Sequence, residues 1–85
     1  MAYVAVNKNG TEVIGNGLCR CGYSKYGSII TQDDYPRSSI PLIKWCDIYY
    51  NPDEGLENHA IELPKGSIKK LIGRELTWID EPVEL

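Results

Sequence analysis

The sequence has no phenylalanine, a single histidine and no apolar run longer than the six residues 1–6. Each shortage excludes something. Without phenylalanine, any aromatic core must be drawn from two tryptophans and six tyrosines. A run of six is far too short for a membrane-spanning helix, which needs about 20 apolar residues. No basic, apolar, small-residue leader is visible, so the expected location is cytoplasmic. One histidine leaves no room for a histidine-rich zinc protease motif, and neither a phosphate-binding loop nor a Gly-x-Ser-x-Gly elbow occurs. The expectation is therefore a protein that is not an enzyme. A basic excess is missing too. The isoelectric point is about 5.0 and the net charge -3, which argues against a general nucleic-acid binder, since that must neutralise phosphates. What remains is 85 residues, 42% hydrophobic and 25% charged, the composition of one small globular domain.

The charge is uneven. Residues 1–50 carry five basic and four acidic side chains, whereas residues 51–85 carry four basic and eight acidic ones. No basic residue follows Arg74, while Glu75, Asp80, Glu81 and Glu84 do. Such a tail aids solubility, or contacts a basic partner surface, or imitates nucleic-acid charge. Lys65, Lys69, Lys70 and Arg74 form a basic helix face, either solvated or touching phosphates or an acidic protein. Weak nucleic-acid contact through this face is one alternative function. The adjacent Asp33 and Asp34 read as solvated loop residues.

The cysteines are Cys19, Cys21 and Cys46. An odd count without a visible leader argues against a disulfide framework, so reduced thiols are expected. With His59 they make a structural zinc inventory of three thiolates and one imidazole. Their spacing departs from the tight knuckles of zinc modules, because 24 residues lie between Cys21 and Cys46. Partly buried free cysteines and an exposed histidine are the other reading. The cofactor expectation is accordingly none, with zinc on Cys19, Cys21, Cys46 and His59 as the alternative.

Asn9-Gly10 between the β-rich runs 2–6 and 11–14 signals a hairpin, since both residues tolerate positive φ. A two-residue loop would oppose Val6 and Val13, and a longer loop with Gly10 in a bulge would shift that register. Residues 15–39, with four glycines, read as a long irregular loop or insertion, or as an irregular strand pair, with strand character only over 28–32. Residues 40–50 read as a strand beginning after Pro41, with a helix capped by Ser39 as the alternative. Residues 59–63 read as a short strand. The helix signal covers 65–72, with Pro64 before it and Gly73 after it. Leu76 and Trp78 alternate with polar residues and suggest another strand, and 83–85 a last edge.

Tyr23, Tyr26, Tyr35, Trp45, Tyr49 and Tyr50 cluster in or beside the long loop and the central strand. Tyrosine and tryptophan are amphipathic interface anchors, so these six are candidate binding residues. The competing reading places several of the rings in the core.

Two resemblances are present. The start, Tyr3-Val4-Ala5-Val6-Asn7-Lys8-Asn9-Gly10-Thr11-Glu12, and the segments Ile61-Glu62-Leu63-Pro64-Lys65-Gly66-Ser67-Ile68-Lys69-Lys70-Leu71-Ile72-Gly73-Arg74, Leu76-Thr77-Trp78 and Glu81-Pro82-Val83-Glu84 resemble short uncharacterised proteins of phages and prophage regions in anaerobic gut bacteria. The resemblance covers about half the chain. It implies a mobile-element accessory protein and no activity. Leu18-Cys19-Arg20-Cys21-Gly22-Tyr23-Ser24-Lys25 is similar to the opening of the CDGSH iron–sulfur motif, with Cys46-Asp47 echoing its third cysteine. That family holds its cluster with three cysteines and one histidine. Here a long insertion precedes Cys46, and Ile48-Tyr49 follows Asp47 where the family has Gly-Ser/Thr-His.

The expected fold class is α+β, a single small domain over residues 1–85. An N-terminal hairpin starts a mostly antiparallel sheet that packs on one short C-terminal helix. Val4, Val6, Val13, Ile43, Trp45, Ile61, Leu63, Ile68, Leu71, Ile72, Leu76 and Trp78 are the expected core. The expected function is a non-catalytic module of phage or prophage origin that binds a host or phage protein, with no membrane partner. An uncovered sheet edge would also permit a homodimer.

Overall fold

The structure is a computed structural model that describes residues 1–26, 29–31, 40–47 and 60–85. It is a small α+β fold of two antiparallel sheets and one short helix. In chain order the elements are β1 (Tyr3–Val6), β2 (Glu12–Gly15), β3 (Leu18–Tyr23), β4 (Ile29–Thr31), β5 (Lys44–Asp47), β6 (Ile61–Glu62), α1 (Ser67–Ile72) and β7 (Val83–Glu84). The first sheet runs β6-β2-β1-β7 and the second β4-β3-β5.

The consecutive apolar residues of β1 follow from its position in the middle of three layers. Val4 and Val6 face α1 and pack with Ile68 and Leu76, against which Ile14, Leu63, Ile72 and Val83 also lie. Ala5 points the other way and packs with Val13, Trp45 and Ala60 between the two sheets. A strand covered on both faces needs apolar side chains at successive positions rather than at every second one. Ala5 is fully buried beneath Trp45, one small and one large side chain filling the inter-sheet layer. Each of the larger buried aliphatic side chains contributes about 1.5–3 kcal/mol by leaving water.

The first hairpin has the longer of the two expected loops. Gly10 N–H donates to Asn7 C=O at 2.9 Å and Asn7 N–H to Thr11 C=O at 2.8 Å, and Gly10 has φ of 92°. This three-residue loop closes on a left-handed glycine in a bulge. Val6 therefore stands opposite Glu12, and Val13 opposite Ala5. The one-residue shift decides which side of the sheet each β2 residue meets. Glu12 and Ile14 go to the helix layer, and Val13 and Gly15 to the second sheet. At Gly15 the sheets come so close that a Cβ would lie 2.7 Å from Leu18 Cδ2 and 3.0 Å from the Asp47 carboxyl carbon. That carboxylate accepts the N–H groups of Asn16 at 2.9 Å and Gly17 at 2.8 Å. It thereby ties the corner where the chain leaves β2 for β3 to the end of β5.

Helix α1 starts two residues later than the apolar pattern suggests, because Gly66 has φ of 91°. Its first turn has no capping side chain of its own. Glu12, across in β2, supplies the cap. Its carboxylate accepts Gly66 N–H at 2.5 Å and Ile68 N–H at 2.7 Å. A six-residue helix cannot stand alone, so this contact and the burial of Ile68 hold it on the sheet. Glu12→Ala should lower stability by about 1–2 kcal/mol. Glu12→Gln, which keeps an acceptor but no charge beside the helix start, should lose less. Equilibrium urea unfolding followed by far-ultraviolet circular dichroism reads both.

Three expectations require correction. Leu76 to Trp78 is not a strand. Asp80 N–H donates to Thr77 C=O at 3.1 Å, and the Asp80 carboxylate accepts Thr77 N–H at 2.7 Å, closing a turn. Of the two readings of residues 15–39 the strand pair is the one present, as β3 with β4, but strand character is not confined to 28–32, since β3 covers Leu18–Tyr23 and pairs with β5 as well. Ile43, Ile61 and Leu71, expected in the core, are 38%, 70% and 52% exposed. Ile61 occupies a two-residue edge strand, and Leu71 sits beside the helix face that Ile68 and Ile72 press on the sheet. The strand expected within 40–50 is present as β5, and the last edge as β7 beside β1.

Candidate functional site

A cleft of about 560 Å³ opens between the β1–β2 turn, the start of α1 and the segment from Glu75 to Trp78. Three elements distant in sequence build it. Its floor is apolar, made by Val6, Ile68 and Leu76, all buried, with Trp78 at one side. Its rim carries Lys8 from the turn and Lys65 and Lys69 from the helix region. Two acidic residues also line it. Glu12 is committed to the helix N–H groups, and Glu75 is exposed. Among the described residues the lining contains no cysteine, serine, tyrosine or histidine, and the Thr77 hydroxyl donates to Asp80 at 3.1 Å. In this arrangement an apolar floor can take hydrophobic side chains while the ammonium groups meet negative charge.

Of the basic helix face read from sequence, Lys65 and Lys69 line the cleft and Lys70 and Arg74 do not. Lys8 carries no sequence signal for this role. Only the hairpin loop brings it to residues some 57 positions along the chain.

The second candidate region is the side of the second sheet turned away from the first. β3 alternates, so Leu18 and Arg20 face the inter-sheet layer and Cys19, Cys21 and Tyr23 face outward. Cys46 stands opposite Cys19 in the β3–β5 register, so all three cysteines share that outward side. Cys21 and Cys46 are joined by a disulfide with their Cα atoms 6.1 Å apart. This corrects the expectation of reduced thiols. The separation of 25 residues carries no hint of the bond, which exists because antiparallel pairing places the two diagonally across neighbouring strands. Cys19 is the free cysteine, partly buried, its S–H directed at the Arg20 carbonyl at 3.6 Å. Tyr23 O–H lies 3.9 Å from Cys46 Sγ. A disulfide sulfur carries no hydrogen, so the phenol is the donor in this weak contact. Burial raises the Tyr23 phenol above its usual value, which keeps it protonated at neutral pH. Lys44 Nζ lies 5.5 Å from the centre of the same ring.

The zinc inventory meets only in part. Two of its thiols are bonded to each other, and His59 lies outside the described residues. Among the described residues no group of three or more His, Cys, Asp and Glu side chains is placed to hold a metal. A CDGSH-like cluster would need the same sulfurs as free thiolates.

The aromatic candidates divide. Tyr26 is 82% exposed beside Lys25, whose Nζ is 5.0 Å from its ring centre. Tyr23 is partly buried on the cysteine side. Trp45 is 4% exposed and belongs to the core, so its ring is not offered to a partner. Tyr35, Tyr49 and Tyr50 lie outside the described residues, as do Asp33 and Asp34. Behind the cysteines, Arg20 fills the inter-sheet layer. Its guanidinium lies 4.8 Å from the Trp45 ring and 5.0 Å from the Trp78 ring, and donates to Trp78 C=O at 2.9 Å.

No protein family, curated protein or solved structure matches this chain.

Proposed function

We propose that this chain is a non-catalytic protein-binding module of phage or prophage origin. It acts stoichiometrically on a host protein in the cytoplasm, taking an acidic, apolar-bearing segment of that partner into the lysine-rimmed cleft. The cleft carries this reading: Lys8, Lys65 and Lys69 ring a floor of Val6, Ile68 and Leu76. The complementary ligand places leucine- or isoleucine-like side chains on the floor and aspartate or glutamate at the rim. The mobile-element origin rests on the terminal segments quoted above.

The test uses a fluorescent peptide alternating glutamate and leucine, read by anisotropy. Lys8→Glu/Lys65→Glu/Lys69→Glu should weaken binding at least tenfold, about 1.4 kcal/mol. The thermal midpoint should stay near that of the wild type, because none of the three lysines has an ion-pair partner among the described residues. Equal affinity of the triple variant, or equal affinity of the wild type for a neutral scrambled peptide, would remove the reading. Displacement by a single-stranded oligonucleotide with steep salt dependence would favour the basic-face nucleic-acid alternative instead. Peptide-independent self-association would favour a second copy.

The zinc module is a second reading, favoured by the three cysteines sharing one side of the second sheet. It predicts that fully reduced protein takes up one equivalent of zinc. Less than about a tenth of an equivalent would remove it.

A further inference from the structure

We infer that Cys19, Cys21 and Cys46 form an internal thiol–disulfide exchange site in which Cys46 has two alternative partners. The disulfide in place joins Cys46 to Cys21, its diagonal neighbour, across a Cα separation of 6.1 Å. Cys19 is the residue directly opposite Cys46 in the register. Directly opposed residues of an antiparallel pair have Cα atoms about 4.5 or 5.5 Å apart. Disulfides span about 4.4–6.8 Å, so the same backbone accommodates either bond. The third pairing is disfavoured. Cys19 and Cys21 are two residues apart along one strand, about 6.6–6.8 Å, with side chains pointing the same way rather than at each other.

The exchange balances without an external oxidant or reductant. The Cys19 thiolate attacks Cys46 Sγ, and a new Sγ–Sγ bond forms between them. The Cys21–Cys46 bond breaks, and Cys21 leaves with the electron pair and takes up the proton that Cys19 lost. Rotation of the Cys19 and Cys46 side chains brings the attack into line. Among the described residues the one hydrogen bond on the Cys19 thiol, at 3.6 Å to a carbonyl, holds it weakly. The two states differ in accessibility. Cys19, free here, is partly exposed, whereas Cys21, the residue that exchange would leave free, is completely buried. Exchange therefore closes a reactive site to small thiols, disulfides and alkylating agents, and reversal opens it.

The sequence supplies the assay, because trypsin cleaves after Arg20 and places Cys19 and Cys21 on different peptides. Oxidised wild-type protein is held under argon at about pH 8.5, where cysteine thiols ionise, then quenched with acid, alkylated, digested and mapped by mass spectrometry. The expected result is a dominant peptide linking Cys21 to Cys46 and a second linking Cys19 to Cys46 at about 1–10% of the total. Cys21→Ser and Cys21→Ala, treated with the oxidant that closes the wild-type bond, should each form Cys19–Cys46 quantitatively. Cys46→Ser should form no internal disulfide. Wild-type protein that yields only Cys21–Cys46 after a prolonged hold overturns the inference. So does either Cys21 variant retaining two free thiols, or a Cys46→Ser protein that links Cys19 to Cys21.

Discussion

Trp45→Ala should remove about half of the domain's stability. The indole is 4% exposed and fills the layer between the sheets against Ala5, Val13, Ala60 and Leu18. It also makes a T-shaped contact with Trp78, the centroids 5.7 Å apart, and supports the Arg20 guanidinium at 4.8 Å. Its Nε1–H donates to Val6 C=O at 3.0 Å, joining the second sheet to β1 of the first. Truncation leaves a cavity and costs about 3–5 kcal/mol. A domain of this size has a total stability of the order of 5–10 kcal/mol. Trp45→Phe keeps most of the packing but strands the Val6 carbonyl, at about 1–3 kcal/mol. Urea titrations followed by circular dichroism should therefore show a strongly lowered midpoint for Trp45→Ala and a smaller lowering for Trp45→Phe. A Trp45→Ala protein that melts at the wild-type midpoint would contradict the placement of this ring at the inter-sheet centre.

Loss of the disulfide ranks second. The bond closes a loop between residues 25 apart, and denying that closure to the unfolded chain is worth about 3 kcal/mol. Cys46→Ser removes it whichever partner Cys46 uses, and adds a hydroxyl at a position only 1% exposed. The expected outcome is a loss of about 3–4 kcal/mol and a melting curve that no longer responds to reductant. Wild-type protein in excess reductant should fall most of the way towards the same midpoint. Cys19→Ser, which alters a partly buried thiol outside the bond, should change stability by less than about 0.5 kcal/mol and keep its response to reductant. Thermal unfolding of the three proteins with and without reductant separates the contributions. A Cys46→Ser midpoint equal to that of the wild type would mean that the bond contributes nothing to the fold.

The parts of the fold that were legible in the sequence are those set by neighbouring residues. Asn9-Gly10 marked the hairpin, because a left-handed φ is required there and glycine accepts it. Pro64 and Gly73 bracketed α1, and Ile68 with Ile72 marked its buried side. β3 was hidden by its own role. An arginine at an inward position and cysteines at outward ones blur the alternation of polar and apolar residues by which a strand is recognised. Arg20 faces inward because two indole rings and the Trp78 carbonyl receive its guanidinium. No local pattern announces such a receptor. The false strand at Leu76 and Trp78 failed for a related reason. Both side chains reach apolar surroundings, but the Asp80 carboxylate draws the backbone into a turn over residues 77–80.

The candidate sites divide along the same line. Two of the cleft lysines, Lys65 and Lys69, stood out as part of a basic helix face, but Lys8 and the apolar floor belong to other segments. Of the six aromatic candidates, Tyr26 is presented to solvent and Trp45 is buried, a difference that residue type does not encode.

By itself the sequence determined the α+β class, the hairpin, the helix and the absence of any long apolar run, since each depends on contacts or conformations within a few residues. Only the tertiary structure decided the pairing of Cys21 with Cys46, the capping of α1 by Glu12 and the meeting of Lys8 with Lys65 and Lys69. Those depend on sheet register, where a shift of one residue turns every side chain of a strand to the opposite face. The bulged loop at Gly10 sets that register for β2, and so brings Glu12 to the helix rather than to the second sheet.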